Sequence, residues 1–214
     1  MLILAIDTST TILSIALMRD DEVLASLDEQ TKNNQSEILM TRIESLFNQC
    51  KVKPTQLEKI AVAVGPGSYT GIRVGVTAAK SLAYALDIPV VSVSSLEVMA
   101  QVVTSDKIRV AMIDARRGTV FAVAYDSKNQ VIIPEGHYDM KGFLEKLPQG
   151  KSTFFIGDEI LARKETWVTA ESKLDRSKAE TLAALATKMS PVASVHALVP
   201  NYLRKTEAEL NLNG

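Results

Sequence analysis

Two loops combine residue types and spacing that suit phosphate chemistry. The first, Asp7-Thr8-Ser9-Thr10-Thr11, sets one carboxylate beside four hydroxyls directly after the apolar run Leu2 to Ile6. The backbone N–H groups of such a strand-to-strand turn can surround an anion, and an aspartate there can hold a magnesium-bound water. The second, Gly65-Pro66-Gly67-Ser68-Tyr69-Thr70-Gly71, lies between an apolar run and a helical pattern. Glycines there allow close backbone approach, and a helix N-terminus attracts negative charge. It is not a P-loop, because no Gly-Lys-Ser/Thr closes it, nor a dinucleotide fingerprint, because Thr70 stands where a third glycine is required. The plainer alternative for both loops is that tight turns need small and hydroxyl-bearing residues. Spacing alone leaves the two readings open.

Other chemistries have little material. The chain has two histidines, His137 and His196, far apart and in no metal-binding spacing, and one cysteine, Cys50. That excludes an internal disulfide, a multi-Cys zinc site and a histidine-built metal centre. No serine has a histidine nearby in sequence and no G-x-S-x-G elbow occurs, so nucleophilic hydrolysis has no support. With 24 Lys+Arg against 25 Asp+Glu, the net charge is -1 and the basic residues are scattered, which argues against direct binding of a phosphate backbone. No apolar stretch reaches the ~20 residues of a membrane span and no basic start precedes the first apolar run, so a cytoplasmic protein is expected. At 214 residues the chain makes one large domain or two small lobes, with a core that needs no staple.

The elements that must position the two loops follow from periodicity. Leu2 to Ile6, Ile12 to Leu17 and Val23 to Leu27 read as an antiparallel meander. From Ser36 the period becomes helical through Leu39, Ile43, Leu46, Phe47 and Cys50, with Ser36 as N-cap and Glu37 in the first turn. Ile60 to Val64 is a buried strand, Ile72 to Leu86 a helix, Pro89 to Val93 a strand, and a short helix begins near Ser94. From Ile108 the plan restarts. Ile108 to Ile113 ends in Asp114 as Leu2 to Ile6 ends in Asp7, and Thr119 to Tyr125, Gln130 to Ile133 and Phe154 to Ile156 supply strands. A helix from Lys178 to Met189 completes a shorter second half. The expected fold is α/β, with two actin-like lobes of mixed sheet spanning residues 1–104 and 105–214. A single doubly wound sheet is the alternative, which the two meanders argue against.

Several segments together resemble a known family. Ile3 to Thr10, Val64-Gly65-Pro66-Gly67-Ser68-Tyr69-Thr70-Gly71-Ile72-Arg73-Val74-Gly75, Ser92 to Glu97, Ile113 to Gly118 and Pro200-Asn201-Tyr202-Leu203-Arg204 are similar to the bacterial TsaB (YeaZ) family, in the same order along nearly the whole chain. One departure is Gln35, where many relatives carry a histidine. The resemblance implies an actin-hexokinase-Hsp70 type of fold and a role in forming threonylcarbamoyladenosine on tRNA. It implies a non-catalytic subunit that partners a TsaD-type transferase, is joined by a TsaE-type ATPase, meets tRNA only through the complex and forms a homodimer in isolation.

The family's transferase subunit binds a metal through paired histidines and closes a nucleotide site between its lobes. This chain lacks those histidines, and Asp114 is followed by Ala115, Arg116 and Arg117, which would fill a triphosphate cradle. Asp7, Thr8, Ser9, Gly65, Gly67, Ser68, Thr70, Gly71 and Asp114 are therefore expected to be a degenerate nucleotide site, with no catalytic residue, metal or cofactor. The alternative is an actin-like small-molecule kinase or ATPase. A glycoprotease activity has neither a nucleophile nor a metal set behind it.

Helix composition suggests where a partner docks. Between Ile72 and Leu86 only Arg73 and Lys80 are charged, so the apolar surface is too wide for one sheet face. Gly75, Ala79 and Ala83 recur every four positions, which would let a second helix approach closely. The resemblance implies that this helix and the one from Ser36 pair with a second subunit in a four-helix arrangement. Leu39, Ile43, Leu46, Phe47, Arg73, Gly75, Ala79, Leu82 and Ala83 are the expected interface. The alternative is that both helices are simply buried in the core.

Overall fold

A computed structural model describes residues 1–32, 34–157 and 178–203; Asp158 and Arg204 lie outside the described residues. β1 (Leu2–Asp7) is buried at every position, as an apolar run without polar alternation requires. It pairs antiparallel with β2 (Ile12–Arg19), Leu4 opposite Leu17 and Ile6 opposite Ile15, and β2 pairs antiparallel with β3 (Glu22–Gln30). On its other side β1 runs parallel to β4 (Lys59–Ala63), which in turn runs parallel to β5 (Val90–Val93). The sheet order is β3-β2-β1-β4-β5.

The period-2 alternation of these strands separates two faces of different character. Leu2, Leu4, Ile6, Leu13, Ile15, Leu17, Ile60 and Val62 form one core with the helices α1 (Gln35–Cys50) and α2 (Tyr69–Leu86). Ile3, Ala5, Ala16, Met18, Ala61, Ala63, Val91 and Val93 form the opposite face, where many side chains are small.

The second sheet has the order β8-β7-β6-β9, built from β6 (Ile108–Asp114), β7 (Thr119–Tyr125), β8 (Val131–Asp139) and β9 (Thr153–Ile156). The β6/β7 and β7/β8 pairs are antiparallel and β6/β9 is parallel, which repeats the β3-β2-β1-β4 pattern of the first sheet. Asp7 and Asp114 end the equivalent central strands. The fold is therefore the two-lobed actin-like one, and the single doubly wound sheet is excluded. Between the sheets, α3 (Ser95–Gln101) packs Leu96, Met99 and Ala100 against the β6 to β9 core, and α4 (Met140–Glu145) buries Phe143 on the far side.

One expectation about the lobes is corrected. The last helix, α5 (Lys178–Ala186), does not complete the second lobe: Ala179, Leu182, Ala183 and Ala186 pack on the first sheet, against Ala5, Ala16, Ala61 and Ala63. Small residues on both surfaces permit close approach, which a strand lined with Leu and Ile would not. The chain after α5 first follows the first lobe, with Val192 N donating to Val90 O, Leu198 buried in its core and Asn201 N donating to Val64 O at 2.7 Å, and then Leu203 packs on the core of the second sheet. Residues 105–214 are thus not one lobe in space.

Helix starts also differ from expectation. The residue at the N-cap of α1 is Asn34, without a side-chain bond, and Ser36 lies inside the helix. Helix α2 begins three residues before Ile72, because Ser68 caps it through Gly71 N and glycine is tolerated in a first turn.

A candidate docking face and a closed loop pair

The start of the turn after β1 is sealed from solvent: Asp7 and Thr8 are 0% exposed and Ser9 is 1% exposed. Asp7 Oδ1 accepts from Ser9 N at 2.8 Å and from Ser9 Oγ at 2.6 Å, so the carboxylate shapes its own turn. Its Oδ2 is buried without a partner among the described residues. The glycine-rich segment packs directly onto this turn. Ser68 N donates to Ser9 O at 2.7 Å, and Thr8 Oγ1 donates to Gly71 O at 2.7 Å. A methyl group at Gly67 would stand 2.2 Å from Ser9 O, so only glycine allows the contact.

Residues outside the expected set complete the arrangement. Gln35 Nε2 donates to Thr10 O, and Lys178 Nζ to Thr10 Oγ1, both at 2.8 Å. From the opposite side, Ser95 N donates to Gly65 O and Gly65 N to Ser95 Oγ. The structure thus brings Asp7, Thr8, Ser9, Gly65, Gly67, Ser68 and Gly71 together. Thr70 is exposed on α2 and faces away, toward the groove described below. Asp114 belongs to a separate turn, where its Oδ1 accepts from Arg116 N at 2.9 Å. That turn places Arg116 and Arg117 at φ 66° and 52°, in the left-handed region.

Where the two lobes meet there is a polar cluster that the sequence did not signal. Glu135 on β8 accepts from Ser94 Oγ, which also caps α3, and from Asn201 Nδ2 at 3.1 Å. Glu97, in the first turn of α3, lies beside it. Burial raises both carboxyl pKa values above the ordinary range, and the charge of Glu135 raises that of Glu97 further. Burial, then the two glutamates, push the Tyr125 hydroxyl up to about 12. Glu135 was invisible because a mid-strand glutamate has no motif around it. Among the described residues no cluster of three or more His, Cys, Asp or Glu is placed to hold a metal ion.

The expected interface is largely corrected by burial. Leu39, Ile43, Leu46 and Phe47 on α1 all face the core of the first lobe. Gly75, Ala79 and Ala83 are buried too: their small side chains let α2 lie close on β4 and β1 rather than on a second helix. A methyl group at Gly75 would come within 2.3 Å of Thr8 Oγ1. Of the nine residues, Arg73 is exposed and Leu82 half-buried. What remains open is the neighbouring stripe. An apolar groove of about 700 Å³ runs between α1 and α2, floored by Leu39 and walled by Met40, Val74, Thr77, Ala78 and Leu82, with Thr70 and Arg73 also lining it. Met40 is 49% exposed.

The tRNA threonylcarbamoyladenosine biosynthesis protein TsaB of Bacillus subtilis (strain 168) is 40% identical over 98% of this chain and 96% of its own length. The chain belongs to the TsaB family. The model of the TsaD family, described as tRNA N6-adenosine threonylcarbamoyltransferase, matches residues 23–166. The TsaB of Escherichia coli (strain K12) is 36% identical over 58% of this chain and 55% of that protein. In solved structures the fold recurs in YeaZ from Pseudomonas aeruginosa, with TM-score 0.73, 24% identity and coverage of 94% of this chain and 99% of that one. Among the described residues, no helix of this TsaB-family chain is long and apolar enough to cross a membrane.

Proposed function

We propose that this chain is a non-catalytic docking subunit of the cytoplasmic machinery that forms threonylcarbamoyladenosine on tRNA. It pairs with a TsaD-type transferase subunit through the α1–α2 groove, forms a homodimer in isolation, and meets the TsaE-type ATPase and tRNA only within the complex. The observation that carries this reading is the groove itself. Its lining is mostly apolar, it lies open on the outer face of the first lobe, and Met40 on its wall is half exposed. Apolar surface of this kind is stabilised by covering it with another chain. The names of the TsaB relatives and the match to the TsaD family model support this choice of pathway and partner.

The loops support the non-catalytic part. A phosphate cradle needs backbone donors aimed at an empty space. Here Ser68 N is spent on Ser9 O, Ser9 N on Asp7, and Gly71 N on Ser68 Oγ. One observation favours the kinase or ATPase alternative: the unpartnered Oδ2 of Asp7, which would suit a cation-bound water.

Co-purification with the TsaD-type subunit of the same genome, together with titration of magnesium-ATP into the chain alone, tests the proposal. The expected result is a stable pair and no nucleotide binding. Turnover of ATP by the isolated chain would establish the alternative.

A further inference from the structure

Arg73 is exposed on α2, yet its guanidinium is fixed. Its Cζ lies 4.0 Å from the centroid of the Tyr69 ring, one turn earlier on the same helix. Its Nε donates to the Tyr202 hydroxyl at 2.8 Å, and the Tyr69 and Tyr202 rings stack with centroids 5.3 Å apart. Tyr202 is itself anchored, because the preceding Asn201 donates to Val64 O and to Glu135. Rotamer freedom that a solvated arginine would lose on binding is therefore already restricted. Both tyrosines remain accessible, Tyr69 at 48% and Tyr202 at 42% exposure. Among the described residues the ion pairs join Met1 to Asp20 and Glu58, and Arg42 to Glu29, and none reaches Arg73.

This cation lies at one end of the apolar groove, whose lining includes both Thr70 and Arg73. We propose that Arg73, cradled by Tyr69 and Tyr202, is an anion receptor that takes a carboxylate at the end of a docked partner helix and so fixes that helix's register. The inference rests on the docking function proposed above and names the chemistry of the partner: an apolar helical stripe ending in Asp or Glu. A planar guanidinium matches a single carboxylate bidentately. A phosphate backbone would instead call for a row of cations. The next cation along α2, Lys80, is committed to the carbonyls of His196 and Leu198. The adjoining walls are apolar, and the chain's net charge is -1. A protein helix is thus favoured over RNA.

The test is calorimetric titration of the full chain with the TsaD-type subunit at low and high salt. It uses Arg73→Gln, Arg73→Lys, Tyr202→Phe and, as a control on the groove, Thr77→Glu, each checked for an unaltered circular dichroism spectrum. Arg73→Gln is expected to weaken association at least tenfold and to flatten its salt dependence. Arg73→Lys does not restore it, because an ammonium neither stacks nor forks, and Tyr202→Phe falls between. Should Arg73→Gln fail to fold, Arg73→Met serves in its place.

Wild-type affinity in Arg73→Gln, with binding lost in Thr77→Glu, overturns the receptor and leaves the docking function intact. Weakened binding with unchanged salt dependence overturns it as well, making Arg73 a clasp for the C-terminal segment. In a parallel titration with an anticodon stem-loop RNA, weakened RNA binding by Arg73→Gln with wild-type affinity for the TsaD-type subunit overturns it in favour of a phosphate site. Wild-type affinity in both Arg73→Gln and Thr77→Glu removes the docking function together with the receptor.

Discussion

At Gly75 two opposing effects can be weighed. Alanine favours a helix over glycine by about 1 kcal/mol. The added methyl group would stand 2.3 Å from Thr8 Oγ1, the hydroxyl that holds Gly71 O. Overpacking costs about 1–3 kcal/mol and the displaced buried hydrogen bond about another 1. Gly75→Ala should therefore lower the unfolding free energy by about 1–3 kcal/mol, read from the urea midpoint; an increase would mean that α2 does not press on the first turn. Glu97 gives a pH-dependent case. Burial and the neighbouring Glu135 raise its pKa in the folded state, so its contribution is most favourable below the ordinary glutamate range near ~4.3 and is lost as pH rises through the raised value. Glu97→Gln removes that loss. Its thermal midpoint should exceed that of the wild type near ~pH 8, with the gap closing toward ~pH 4. A gap independent of pH would show that the folded state does not raise the Glu97 pKa.

At the scale of elements, the groove and the core predict opposite outcomes for substitutions two residues apart. Ala79 is 0% exposed against β4 and β1, so Ala79→Glu buries an unpaired charge at about 3–5 kcal/mol and should unfold much of the chain. Thr77 faces the groove, so Thr77→Glu should stay folded and lose association; circular dichroism with sedimentation separates the two results. This contrast also marks what was legible beforehand. The apolar stripes of α1 and α2 were readable, but an apolar stripe has the same signature whether it meets a sheet or another chain. Only the packing of Gly75, Ala79 and Ala83 on the sheet decides it. The helix starts differ from the periodic pattern for a local reason. Gly71 reads as loop until Ser68 is seen capping it, and the six residues of α4 are too few for a period to emerge. β8 runs on through Pro134 to Asp139 because it is an edge strand, where proline's missing N–H costs nothing.

At the scale of the molecule, element order carried the duplication, since each half opens with an apolar strand ending in aspartate and continues through a meander. Element order could not reveal that α5 crosses back to the first sheet. That depends on the fit of Ala179, Ala183 and Ala186 to Ala5, Ala16, Ala61 and Ala63, a match between segments more than a hundred residues apart. The same long-range return joins Asn201 to Glu135 and to Val64, next to the glycine-rich loop. In the whole molecule the two loops hold each other, and an apolar groove stays open on the outer helical face of the first lobe. Reconstituted formation of threonylcarbamoyladenosine on tRNA, with the TsaD- and TsaE-type subunits and two variants of this chain, tests the proposed non-catalytic docking role most directly. Asp7→Asn keeps the acceptor for Ser9 and should retain activity within about threefold, whereas Thr77→Glu should lower it at least tenfold. Loss of activity in an assembled Asp7→Asn complex, with full activity in Thr77→Glu, would contradict the account.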